Sequence, residues 1–200
     1  LFDRNSLLSV QAIESIRNFG LIGVYVLEPA EPLPPMTQED LEFERFQIKA
    51  VSAIEEELDR ILKTRKQSRI QTIADMVIRN YGHLDEKINF YQNLRSLEDY
   101  VSRHSLNVAI LCAMITHVMN IRREEQYHTV CAALLHDMGK LKKHEDVYFG
   151  APYSREDAIR NCETQEEAYS VIEDAFATEG PAIRRICQQA AGKQLDLFPE

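Results

Sequence analysis

Apolar residues recur at helical spacing along most of this chain. After Thr37, which with Asp40 has the spacing of a capping box, Leu41, Phe43, Phe46, Ile48, Val51, Ile54, Leu58, Ile61 and Leu62 mark one stripe. Glu55-Glu56-Glu57 and Lys63 to Lys66 fall on its wet side. The pattern predicts a long amphipathic helix there and further helices over 69–80, 88–94, 99–120, 124–136, 165–176 and 181–191. Ahead of them, Val10, Ile13 and Ile16 follow a Ser9 cap at helical spacing and stop at Gly20. Leu21-Ile22-Gly23-Val24-Tyr25-Val26-Leu27, rich in β-branched and aromatic residues, then predicts a strand. Pro29, Pro32, Pro34 and Pro35 prevent a helix and favour an extended connection. The expected organisation is a small helix-strand segment with a Pro-rich linker over 1–36, then a mostly α domain over 37–200.

Composition narrows the class of protein. The chain has 200 residues, 44% hydrophobic and 28% charged, with seven Gly and seven Pro, which fits a globular fold and excludes collagen and low-complexity disorder. The longest nearly uncharged run, Ser105 to Asn120, is too short for a bilayer and reads as a buried helix, so no membrane span is expected. A formal charge of −9 argues against a protein that holds a DNA duplex by its overall field. The four cysteines, Cys112, Cys131, Cys162 and Cys187, show no C-x-x-C. The first two lie in apolar runs where a reduced thiol behaves as a small hydrophobe, so a reducing, cytoplasmic setting is expected. No export signal is visible in the sequence, which begins at Leu1 rather than Met.

The six histidines are His83, His104, His117, His128, His136 and His144. A lone helical histidine is commonly a surface or hydrogen-bonded core residue, and His83, His117 and His128 are read that way. His136-Asp137 differs, because it follows the apolar run Cys131-Ala132-Ala133-Leu134-Leu135 and precedes Met138-Gly139-Lys140. An imidazole, a carboxylate and an ammonium therefore gather at the end of one buried helix, at a cost unless they satisfy one another or an ion. An adjacent His-Asp pair offers a divalent metal one nitrogen and one oxygen, and a carboxylate can bridge two metals. One helix cannot close a coordination sphere. His104, at the start of the most apolar helix (Val108, Ala109, Leu111, Cys112, Ile115), is the candidate for a further ligand.

His104-Ser105-Leu106-Asn107-Val108-Ala109, followed one helix later by Leu134-Leu135-His136-Asp137-Met138-Gly139-Lys140-Leu141, resembles the HD superfamily of metal-dependent phosphohydrolases, and most closely its HD-GYP branch. The run from Leu7 to Val26 is similar to the helix-then-strand piece that often precedes HD-GYP domains. Gln165-Glu166-Glu167-Ala168 and Ala190-Ala191-Gly192-Lys193-Gln194-Leu195-Asp196 resemble the end of such a domain. The resemblance implies an HD-domain helical bundle and an enzyme that uses two divalent metals, iron or manganese, to hydrolyse a cyclic dinucleotide such as cyclic di-GMP. It implies His104, His136, Asp137 and Asp146 as metal ligands, with Asp137 able to bridge. Lys140 would act with Asp137 in catalysis by holding a phosphoryl oxygen as a point charge, and Arg155 is a looser candidate for the same work.

The sequence also departs from the HD-GYP pattern. It has no Gly-Tyr-Pro, and only His144 follows His136. Asp146-Val147-Tyr148, with Pro152-Tyr153 beyond, resembles the stretch that supplies the later aspartate, yet it arrives before there is room for the helices that normally intervene. Beside His144 and Glu145, Asp146 reads equally as part of a solvated loop. Either the middle is lost, leaving a degenerate signalling or binding module, or a stretch between about Leu141 and Asp146 is missing from the sequence as it stands. The tail-like C-terminal run favours the latter. A third reading is an HD phosphohydrolase acting on mononucleotides, which needs only a one-metal set of two histidines and two aspartates. Tyr100, one turn before His104, stands where some trinuclear HD-GYP enzymes present a glutamate, which argues against a third metal. The aromatic pairs Phe90-Tyr91 and Tyr148-Phe149 read as core or interface. The stripe over 41–62 can pair two copies as a homodimer or pack on its own domain.

Overall fold

A computed structural model describes residues 9–18, 37–84, 99–141 and 154–195. The chain divides into two units, Leu1–Pro35 and Met36–Glu200. In the first, the described element is α1 (Val10–Asn18). The expected strand at 21–27 and helix at 88–94 lie outside the described residues, as do His144, Asp146 and both aromatic pairs.

Every regular element among the second unit's described residues is helical: α2 (Gln38–Thr64), α3 (Ile70–Tyr81), α4 (Tyr100–Val118), α5 (Arg123–Leu135), a 3-10 turn (Met138–Leu141), α6 (Arg155–Tyr169), α7 (Ile172–Phe176) and α8 (Gly180–Leu195). None of these helices is long and apolar enough to cross a membrane. The Thr37 side chain accepts from the Asp40 amide at 3.1 Å while the Asp40 carboxylate accepts from the Thr37 amide at 2.8 Å, which starts α2 at the expected place. α5 lies at the centre, packed against α3, α4 and α8, and Val130, Cys131, Leu134 and Leu135 are fully enclosed. A tight connection turns α4 into α5. It is closed by the Asn120 amide on the His117 carbonyl at 2.8 Å and the Ile121 amide on the Thr116 carbonyl at 2.9 Å. Asn120 takes the left-handed conformation (φ 54°), which a short polar side chain tolerates.

The structure corrects three expectations. Glu57, placed on the wet side of α2, is fully buried. It accepts from the Ser68 amide at 2.6 Å, the Arg69 amide at 2.7 Å and the Ser68 hydroxyl at 3.0 Å, and pairs with Arg60 at 2.7 Å. Arg69 gives α3 no side-chain cap, so a carboxylate from α2 satisfies the free amides at its start. Burial pushes the Glu57 carboxyl up. The two amides, the hydroxyl and Arg60 outweigh that and hold it below its ordinary value.

The single helix expected over 165–176 is two. α6 starts well upstream at a Ser154 cap, whose hydroxyl accepts from the Asp157 amide at 3.1 Å, and a turn at Ser170 and Val171 separates it from α7. The first turns of α6 are polar, with Ala158 the one fully buried side chain there, so hydrophobic spacing does not reveal them.

The apolar stripes are also less completely buried than expected. On α2, Val51, Ile54, Leu58 and Ile61 are in the core while Leu41 and Ile48 are exposed. On α4, Leu106, Ala109, Ile110 and Ala113 are buried. Leu111, Ile115 and Val118 of the same helix, with Met119 just after it, are exposed and line an apolar groove of about 270 Å³ with Leu84 and Met114.

Candidate metal centre

Two helix termini and the turn after α5 build the site. His104 lies in the first turns of α4, stacked on Tyr100 one turn earlier with ring planes 3° apart and centroids at 5.8 Å. His136 closes α5, and Asp137 follows it into the 3-10 turn. The His104 and His136 Nε2 atoms stand 3.2 Å apart, and Asp137 Oδ2 lies 3.6 Å and 3.8 Å from them respectively. Among the described residues, these make the group of histidine and acidic side chains arranged to hold a metal ion, with all three donor atoms within 4.8 Å of one another.

The donor separations match a shared ion. Two ligands each about 2.1 Å from one cation stand about 3 Å apart at a right angle and about 3.6 Å apart at 120°. The ring chemistry agrees. His136 Nδ1 lies 2.8 Å from the Ala133 carbonyl, and as the donor in that bond it leaves Nε2 with its lone pair directed at His104 and Asp137. Asp137 is nearly enclosed, with a side chain 4% exposed. Burial works to raise its carboxyl. His136, Lys140 and His104 outweigh that and hold it below the ordinary aspartate range. His104, at 36% exposure, is the open side of the cluster.

The Asp137 carboxylate is held at both oxygens. Lys140 Nζ, itself buried, donates to Oδ2 at 2.7 Å, and the Gln165 amide of α6 donates to Oδ1 at 3.2 Å. The Gln165 carbonyl oxygen accepts from the Gly139 amide at 2.8 Å, so one side chain ties α6 to both the ligand and its turn. One helical turn on, the Tyr169 hydroxyl donates to the His136 carbonyl. Burial pushes the Tyr169 phenol far above its ordinary value, so it remains a donor at any working pH.

Of the residues singled out by sequence, the structure gathers His104, His136, Asp137 and Lys140. Asp146 lies outside the described residues. Arg155 opens α6, about 15 Å along the helix axis from Gln165. His83 and His117 are exposed and His128 is half-buried beside Tyr127, all apart from the cluster. Gln165 and Tyr169 were not foreseen as supports. The one available signal is their spacing of four on a helix, which puts both on one face.

Residues 101–193 match the family model of the HD domain, a span that runs from α4 through α8 and contains the whole cluster. The match supports the HD superfamily. HD domains bind divalent metals, and the family is typically one of metal-dependent phosphohydrolases with nucleotide-type substrates. The all-α bundle agrees with that fold. No curated protein and no solved structure matches the chain.

Proposed function

We propose that this protein is a metal-dependent phosphohydrolase of the HD-GYP kind, with a cyclic dinucleotide such as cyclic di-GMP as its favoured substrate. The observation that carries the reading is the convergence of two imidazole nitrogens and one buried carboxylate at separations that suit a single divalent ion, beside a buried lysine. His104, His136 and Asp137 would hold iron or manganese, with Asp146 as a further ligand. A second ion would be shared through Asp137 where the ligand set is complete. A bound cation supplies Lewis acidity, which makes water a competent nucleophile near neutral pH and offsets charge on the phosphate.

The chain's own groups do the rest. His136 is kept in the right tautomer by the Ala133 carbonyl. Gln165 fixes the plane of the Asp137 carboxylate through Oδ1. Lys140 would hold a phosphoryl oxygen as a point charge, and Arg155 is a further candidate cation for substrate binding. In this reading residues 37–200 form the catalytic domain and 1–36 an attached segment. The exposed Leu41 and Ile48 of α2 offer a narrow apolar strip to a second copy in a homodimer.

The test is hydrolysis by the purified chain loaded anaerobically with iron or manganese, offered cyclic dinucleotides and, separately, a panel of mononucleotides. Cleavage of a cyclic dinucleotide that disappears in Asp137→Ala is the expected result. Cleavage of mononucleotides alone moves the substrate class, and binding of either without turnover favours a second reading. That reading is a degenerate binding module. It is favoured by the fact that α6 presents Gln165, an amide, to the cluster, and that both Asp137 oxygens already carry hydrogen bonds.

A further inference from the structure

We infer that Lys140 is a built-in counter-ion that competes with the metal for Asp137, so that metal binding must release the lysine and the lysine sets the metal affinity of the site. The inference rests on the metal-centre reading above and concerns how that centre is regulated. Three distances carry it. Asp137 Oδ2, the oxygen within 3.6 Å of His104 Nε2 and 3.8 Å of His136 Nε2, is the same oxygen that accepts from Lys140 Nζ at 2.7 Å. The other oxygen accepts from the Gln165 amide, so the oxygen that faces both imidazoles is the one the lysine holds. An ammonium and a divalent cation on one oxygen repel each other strongly wherever water is scarce, and here the lysine and aspartate side chains are 7% and 4% exposed.

The pairing also explains how a buried carboxylate is tolerated before metal arrives. An unpaired charge in such a place is strongly destabilising, and Lys140 supplies the missing partner. It is well suited to let go, because a lysine is a flexible point charge with a single bond to this carboxylate rather than a two-pronged arginine clamp. Once displaced, the ammonium is free to turn toward the substrate side. Metal loading and phosphate capture are then ordered, metal first.

The experiment uses the full chain and manganese(II), titrated calorimetrically, with thermal unfolding recorded with and without the ion. Lys140→Met removes the competitor and is expected to bind manganese about ten- to a hundredfold more tightly than wild type, the equivalent of one charge-assisted hydrogen bond. Its melting temperature should lie below that of wild type without metal and gain more on adding it. Lys140→Arg, which keeps the charge and adds a second prong, should bind no more tightly than wild type. If Lys140→Met folds only when manganese is present, the lysine is acting as the counter-ion, as inferred. Equal or weaker manganese binding by Lys140→Met, or failure to fold even with saturating manganese, overturns the inference. Should neither wild type nor Lys140→Met bind manganese, the metal-centre reading itself falls. Should wild type bind it in a manner that His136→Ala abolishes while Lys140→Met brings no tightening, the counter-ion role alone falls.

Discussion

Gly139 sits where the turn carrying Asp137 meets α6, and replacing it with alanine tests how closely the metal centre depends on that contact. A Cβ at this position would stand 2.5 Å from Gln165 Oε1, 2.8 Å from the Thr164 carbonyl oxygen and 2.9 Å from Gln165 Cα. The first of these belongs to a side chain and can in principle move, but that amide holds both the Gly139 N–H and Asp137 Oδ1. The other two are backbone atoms of a helix. Relief therefore requires α6 to retreat from the turn by roughly half an ångström, since real Cβ contacts shorter than 3.0 Å essentially do not occur. Overpacking of this kind costs about 1–3 kcal/mol. Weakening the two Gln165 hydrogen bonds adds about 1 kcal/mol, for a total of about 2–4 kcal/mol. Urea unfolding monitored by circular dichroism reads the loss directly as a lowered midpoint at unchanged slope. Gly192→Ala is the internal control. An added Cβ there meets nothing within 4 Å on an exposed face of α8, so the same chemical change should stabilise by about 0.5–1 kcal/mol through helix propensity. A Gly139→Ala protein within about 0.5 kcal/mol of wild type would refute the argument that α6 clamps this turn.

Three further outcomes follow from particular contacts. His136→Ala and Asp137→Asn should each reduce manganese affinity at least a hundredfold by calorimetry, because each removes or neutralises one of three donors. Tyr169→Phe deletes the hydroxyl on the His136 carbonyl, and should cost about 1 kcal/mol of stability and about tenfold in manganese affinity, the usual scale for an outlying group that orients a ligand. Glu57→Gln weakens the charged cap on α3 and should cost about 2 kcal/mol near neutral pH. Because the folded-state pKa of Glu57 is depressed, its contribution is whole above the ordinary value of 4.5 and is lost as pH falls through the lower folded value. The stability gap between wild type and Glu57→Gln should accordingly close in acid, and a gap that stays constant in urea titrations across that range would contradict the cap.

Much of the bundle was legible from local pattern. The Thr37–Asp40 box and the apolar positions Val51, Ile54, Leu58 and Ile61 define α2, and the structure buries those four side chains as their spacing requires. What local pattern could not show is a residue whose partner comes from elsewhere in the chain. Glu57 sits in a run of three glutamates that reads as solvated, and its burial depends on the start of a different helix. The start of α6 escaped for a related reason. Its upstream turns bury little, and the helix is held there by a serine cap rather than by an apolar face. On α4 the error runs the other way, since an apolar composition was read as full burial while Leu111, Ile115 and Val118 face outward.

The candidate site divides along the same line. His136, Asp137 and Lys140 are consecutive enough that a helix end brings them together, and His104 could be added because an apolar helix of this size must pack on its neighbour. Gln165 and Tyr169 carry no such mark. They matter only because α6 crosses the turn after α5, a fact of tertiary structure. That crossing bears on metal count. α6 meets Asp137 with an amide, so among the described residues the cluster has two imidazoles and one carboxylate, a set that holds one ion and leaves coordination positions open for water and substrate. Asp146 is the expected fourth ligand of this same ion, completing a one-metal set of two histidines and two aspartates, and a second ion needs ligands beyond that set. Elemental analysis of manganese-loaded protein should therefore read about one ion per chain from His104, His136, Asp137 and Asp146, and about two only where further ligands complete a second site. If Asp146→Ala weakens manganese binding as His136→Ala does, Asp146 is the fourth ligand of that ion. If Asp146→Ala binds manganese as tightly as wild type and the count is one in both, the chemistry has to be done with the single ion that His104, His136 and Asp137 can hold.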